Sequence, residues 1–202
     1  MPDWIDEIVS AWTGHRVFAE WLIRQRVPET VVELGVDYGY SLCVLANALK
    51  TANPAGRIIG IDHFKGDEQT GYRNTKSGVQ SLLRKHDLNN VNLVEGDFQD
   101  IGMTWTTPVD ILHIDGLHTY DAVKGDYTTW RPHLATKGVI LFHDIHVPNP
   151  SYEVKKVFDE LTDGYRLEFT HSAGLGVYTR DRELYDLIRD EFPNVIAHTI
   201  CA

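Results

Sequence analysis

The chain of 202 residues carries 29 Asp and Glu against 19 Lys and Arg, a formal charge of −10 at neutral pH. That length makes one domain with its own core, and 43% apolar with 24% charged residues excludes a disordered or fibrous chain. The acidic balance argues against a broad nucleic-acid-binding face, and Cys43 and Cys201 form no CxxC pair, which argues against a disulfide scaffold or a cysteine zinc site.

The opening stretch MPDWIDEIVSAW is acidic and amphipathic, without the basic start and apolar run of a secretory signal. No run approaches the roughly 18 apolar residues of a membrane span, so a cytoplasmic location without a membrane partner is expected. Residues 3–12 and 15–26 read as two helices broken near Gly14, with Val17, Phe18, Trp21 and Leu22 at helical spacing in the second. TVVELGV (30–36) is a buried strand that stops at glycines, and 40–50 is helical again. RIIGID (57–62) is a second strand, 63–78 a polar loop, and a helix follows to about His86. VNLVEGD (91–97) and VDILHID (109–115) are the third and fourth strands. Tyr120, Val123, Tyr127, Trp130 and Leu134 mark a helix, and GVILFHD (138–144) is the fifth strand. Residues 152–161 are helical, 166–171 and 174–180 form two strands joined by a tight glycine turn, and 182–191 form a last helix.

Alternating strands and helices predict an α/β fold, a doubly wound and mostly parallel sheet of seven strands, closed by an antiparallel C-terminal hairpin. In such sheets ligands bind beyond the carboxyl ends of the strands, where strand order reverses. Strand one ends Glu33-Leu34-Gly35-Val36-Asp37-Tyr38-Gly39, a GxxxG and not the GxGxxG of dinucleotide binders. The two glycines allow a tight turn near a ligand, and Glu33 suits a cationic amine better than a pyrophosphate. Strand two ends at Asp62, placed to hold a ribose, and strand three at Asp97 and Phe98, suited to adenine's amino group and ring. Together these ends outline an adenosine site with room for an amino-acid tail.

Strand four ends at Asp115, with His118 three residues on, and strand five at His143-Asp144. These four residues belong to one rim, where they either hold a hard divalent cation or form a hydrogen-bonded His–Asp cluster. Five of the ten histidines, His113 to His146, fall within 34 residues. His113 lies inside a strand and reads as a core residue, His133 as a late-helix residue and His146 as a loop residue. Asp67, Glu68 and Tyr72 read either as a lid or as a solvated loop.

VVELGVDYGYS, the Asp ending strand two, EGDF and VDILHIDGLHTYDAVKGDYTTWRPHLATKGVILFHD together resemble class I S-adenosylmethionine-dependent methyltransferases. The resemblance is to the bacterial O-methyltransferase group that includes cephalosporin-type and macrolide-sugar enzymes, and covers roughly 29–180. It implies an N-terminal helical extension (1–28), a catalytic core (29–180) and a C-terminal helix and tail (181–202). It implies Glu33, Gly35, Gly39 and Ser41 at the methionine end, Asp62 at the ribose, Asp97 and Phe98 at the adenine, and Asp115 close to the cofactor. Asp115, His143 and Asp144 would be the metal ligands, for Mg2+ or another divalent cation, although His143 stands where an oxygen ligand is usual.

His118 replaces the lysine of catechol-type enzymes and is the leading candidate base, with His143 second and Asp115 orienting. The expected partner is a small-molecule or saccharide hydroxyl. The N-terminal helices leave a homo-oligomer open. The alternatives are a Mg-dependent catechol or phenol enzyme, a nicotinamide-dependent oxidoreductase lacking both GxGxxG and a Tyr-xxx-Lys pair, and a non-catalytic adenosine-binding module.

Overall fold

In this computed structural model residues 2–199 are described, so Cys201 lies outside the described residues. The parallel strands are β1 (Thr30–Leu34), β2 (Arg57–Asp62), β5 (Val91–Glu95), β6 (Val109–Ile114) and β7 (Leu134–His143). A short hairpin, β3 (Gly66–Asp67) and β4 (Gly71–Tyr72), lies in the loop after β2. β8 (Tyr165–Phe169), β9 (Leu175–Thr179) and β10 (Ile196–Thr199) follow, and the main sheet runs β10-β8-β9-β7-β6-β1-β2-β5. β7/β9, β9/β8 and β8/β10 are antiparallel. The sheet therefore has eight strands where seven are expected. The extra one, IAHT, is too short and too polar to stand out in the sequence; it forms by adding to the edge of β8.

Strand alternation sets what each face buries. Val31, Ile111, Val139 and Leu141 point to the face covered by α1 (Arg16–Arg26), α2 (Tyr40–Ala52) and α3 (Lys76–Lys85). Leu184, Tyr185 and Ile188 of α7 (Arg182–Glu191) join that same core. Val32, Leu34, Leu112, Ile114, Ile140 and Phe142 point the other way, against α5 (Tyr120–Trp130) and α6 (Val154–Asp159). Each fully buried Leu or Ile contributes roughly 1.5–3 kcal/mol, so the two layers hold the strand ends rigidly in place.

Three further departures from the expected elements have local causes. Residues 3–12 do not form one helix but part of two 3-10 turns, Asp3–Glu7 and Ala11–His15, separated by an extended Ser10 whose hydroxyl accepts the Trp12 N–H at 3.0 Å. This break lets Trp12 enter the core, where it is 1% exposed. Within the polar loop, Asp67 Oδ1 accepts the N–H groups of Gln69 and Thr70, which turns β3 back onto β4. A short helix not expected from the sequence, α4 (Phe98–Met103), starts because Asp97 Oδ1 accepts the N–H groups of Gln99 and Asp100 at 2.9 and 3.0 Å. Among the described residues no helix is long and apolar enough to cross a membrane.

Candidate active site

Strand order reverses between β1 and β6, and the chain there is closely fitted. Asp115 N–H donates to Leu34 O at 2.8 Å, and a Cβ on Gly35 would lie 2.1 Å from the Asp115 carbonyl oxygen. Gly35 also has φ +93°, so only glycine lets the two strand ends pass this closely. Gly39, at φ +83°, starts α2.

Above these ends opens a cavity of about 560 Å³, within the size range of small-molecule sites. Asp97, Phe98 and Gln99 line one end, and Gly35, Gly39, Ser41 and Asp62 its middle. Asp115, His118, His143 and Asp144 line the other end. Val9, Ser10 and Ala11, with Gly66, Asp67 and Thr70 of the hairpin segment, contribute to its walls. Phe98 lies against Gly116, whose missing Cβ would sit 2.4 Å from the ring. Asp62 braces the floor: Oδ2 accepts the N–H groups of Val36 and Asp37, and Oδ1 that of Phe64.

Glu33 is a correction. It was expected at the methionine end, but it is fully buried and does not line the cavity. Register pairs Glu33 with His113 across β1 and β6, and His113 Nδ1 lies 2.9 Å from Glu33 Oε1. Trp12 Nε1–H, a donor only, reaches His113 Nε2 at 3.1 Å, so His113 is neutral with its proton on Nδ1, directed at Glu33. Burial raises the Glu33 pKa, against the hydrogen bond from His113.

The acid–histidine cluster is tightly knit. His118 Nε2 lies 2.9 Å from Asp144 Oδ2 and 3.4 Å from Asp115 Oδ1. Its other nitrogen, Nδ1, and its backbone N–H both meet Gln69 Oε1, at 3.0 and 2.9 Å. Gln69 Nε2 donates to Ser151 O at 2.8 Å, which fixes Oε1 as the acceptor and hence a proton on His118 Nδ1. Tyr152 stacks on the imidazole at 4.6 Å between centroids. Asp144 is held at φ +62°, a left-handed conformation that aspartate tolerates better than most residues. His143 Nδ1 faces Asp115 and Asp144 at 3.2 and 3.3 Å, and its Nε2 faces Ser172 O at 3.2 Å.

These contacts set the protonation states. Burial alone would lower His118, but the carboxylates of Asp115 and Asp144 outweigh it and raise its pKa to about 9. His143 is raised for the same reasons, burial opposing and Asp115 prevailing. Against its own burial, Asp115 is held well below the usual carboxylate range by His143 and His118. His15 goes the other way: burial, then His143 and His171, lower it to about 3.

Ligand atoms of Asp115, His118 and Asp144 lie within 4.8 Å of one another. Two carboxylates and an imidazole suit Mn2+, Fe2+ or Zn2+ as well as Mg2+. The Gln69 carbonyl on the far nitrogen of His118 is the kind of support that metal-bound histidines have. The residues fit a divalent cation, with His118 in the place expected of His143. Gln69, Tyr152, His15 and Asp126 escaped the sequence reading. Only Gln69 carried a signal, its position beside Glu68 in the loop that reads either as a lid or as a solvated loop.

The family model described as "Methyltransferase domain" matches residues 32–145, more than half of the chain. A curated relative, the uncharacterized protein y4gI of Sinorhizobium fredii, is 32% identical over 184 residues, 87% of this chain. The chain spans 20% of that relative's length. Among solved structures, a methyltransferase from Geobacter sulfurreducens superposes with a TM-score of 0.67 at 19% identity, over 86% of this chain and 82% of its own. The O-methyltransferase TomG of Streptomyces achromogenes, solved with S-adenosylmethionine, gives 0.67 at 15% identity over 89% and 90%. CalS11, a TDP-rhamnose 3'-O-methyltransferase, gives 0.64 at 20% identity over 86% and 82%. The chain belongs to the family whose model it matches: it contains a methyltransferase domain.

Proposed function

We propose that this domain transfers a methyl group from S-adenosylmethionine to a hydroxyl oxygen of a small molecule, a saccharide hydroxyl in preference to a phenol. One observation carries the reading: a single cavity joins the strand ends suited to adenosine to a cluster of Asp115, His118, His143 and Asp144. The similarity to a sugar O-methyltransferase supports the acceptor class, and so does a site rich in carboxylates and imidazoles, which match the hydroxyls of a polyol.

When bound, the cofactor supplies a methyl already activated on sulfur. The chain must therefore align the acceptor and deal with its proton. Asp97 and Phe98 would hold the adenine and Asp62 the ribose, with Gly35, Gly39 and Ser41 along the amino-acid tail. Ser10 and Ala11 form part of the cavity wall. His118 and His143 stand beside the acceptor position. On the bare protein Asp115 and Asp144 raise the pKa of both, and His118, at about 9, stays protonated at neutral pH and is no free base there. With Asp115 and Asp144, His118 would serve as a ligand once a cation takes the place of its Nε2 proton. A divalent cation, when bound, would lower the pKa of an acceptor hydroxyl.

Calorimetry should detect S-adenosylhomocysteine binding and no NAD binding. Labelled-methyl transfer to a panel of nucleotide sugars and catechols, with and without EDTA, tests the rest. Sugar methylation that EDTA abolishes and Mg2+ or Mn2+ restores is the expected result. Transfer indifferent to EDTA would remove the cation from this reading, and cofactor binding without transfer to any acceptor would favour a non-catalytic adenosine-binding module.

A further inference from the structure

Asp115, His118 and Asp144 bring two carboxylates and one imidazole within 4.8 Å of one another, so one of the three donors is a nitrogen. That nitrogen is held in place. His118 is only 5% exposed, its Nδ1 and backbone N–H both meet Gln69 Oε1, and Tyr152 lies on the ring at an interplanar angle of 14°. Glu153 N–H donates to His118 O at 2.7 Å and ties the same residue to the start of α6. Turning the imidazole over would break the Nδ1 bond to Gln69, and swinging it out would break the stack as well. Nε2 stands 2.9 Å from Asp144 Oδ2 and 3.4 Å from Asp115 Oδ1. Neighbouring ligands of an octahedral ion with bonds of about 2.1 Å stand about 3 Å apart, so these separations suit donors that share one cation.

We infer that this site selects a first-row transition ion over Mg2+, and that His118 Nε2 makes the selection. The inference rests on reading the three residues as a cation site and is independent of the acceptor. Mg2+ takes oxygen ligands and gives up its water reluctantly, so a fixed nitrogen offers it a poor ligand. Transition ions accept imidazole beside carboxylate, and increasingly so along the row from Mn2+ to Co2+. The two carboxylates alone would serve either class of ion. Gln69 widens the difference, because accepting the Nδ1 proton makes Nε2 the stronger donor. His143 does not supply this nitrogen: its Nε2 faces Ser172 O, and its Nδ1 is not among the ligand atoms of the group.

The test is competition calorimetry with Mg2+, Mn2+ and Co2+ on the full chain and on His118→Gln, whose amide offers a neutral oxygen where Nε2 stood. Wild-type affinity should rise in the order Mg2+, Mn2+, Co2+, with Co2+ bound about 100-fold or more tighter than Mg2+. His118→Gln should narrow that gap to about tenfold or less. Pulsed EPR of the Mn2+-loaded wild type should show the coupling of one directly bound imidazole nitrogen, a readout that does not depend on the variant folding. In His118→Gln that coupling should vanish. Mg2+ bound within about threefold of Co2+ by the wild type, an unchanged gap in His118→Gln, or a Mn2+ centre without nitrogen coupling overturns this inference alone. If none of the three ions binds, the cation reading falls and takes the inference with it.

Discussion

At His118 the two nitrogens have different tasks. Gln69 holds Nδ1–H, while Nε2 is turned between Asp144 and Asp115. His118→Ala should lower transfer by at least about 100-fold while S-adenosylhomocysteine affinity stays within about threefold; retained turnover would remove His118 from the reaction. Gln69→Ala keeps the imidazole but frees its orientation, and should weaken Mn2+ binding or kcat by about 10–100-fold, with measured Mn2+ affinity as the direct check. Asp62, Asp115 and His143 were legible as rim residues because each ends, or directly follows, a parallel strand. Glu33 misled because it lies inside β1 with its side chain on the face of Val31, and register delivers it to His113. Asp126 sits mid-helix in no motif, and only the packing of α4 on α5 makes it part of a wall.

Among the elements, the crossing at Gly35 leaves the least room. Alanine there would need both a left-handed backbone and space already filled by the Asp115 carbonyl. Gly35→Ala should cost at least about 2 kcal/mol in chemical denaturation and abolish cofactor binding; a variant of unchanged stability would show that the strand ends can separate. The long, strongly patterned strands and helices of the core were legible because period and glycine stops agree with their burial. The 3-10 turns at the N-terminus, α4, the β3–β4 hairpin and β10 were not. Each spans two to six residues, too few to leave a periodic trace, and all but Asp3–Glu7 depend on a side-chain cap or a neighbouring edge.

For the whole molecule, the buried histidines oppose one another across neutral pH. His15 has a folded pKa near 3, below the 6.5 of an unfolded histidine, so the unfolded chain binds the proton more readily. Stability is therefore lost as pH falls below about 6.5, by roughly 2 kcal/mol at pH 5 from this residue alone. His118 has its folded pKa raised to about 9, so in metal-free protein its contribution is full below 6.5 and is lost as pH rises through 9. Scanning calorimetry on EDTA-treated protein should place the highest Tm near pH 6.5, and His15→Phe should flatten the acid side only. A Tm that rises steadily toward pH 9 would contradict the His118 assignment, and one that does not fall on the acid side of 6.5 would contradict that of His15.

Trp12 joins the N-terminal segment to this chemistry. Its indole donates to His113 and lies with its ring centroid 5.6 Å from that of His15 and 6.4 Å from that of His143. Imidazolium quenches indole fluorescence at such range far more than neutral imidazole does, so the protein contains its own optical sensor of the site. The Trp12 emission, isolated by comparison with Trp12→Phe, should brighten when a divalent cation displaces protons from the cluster. The same signal would time cation arrival in a stopped-flow instrument without any added label.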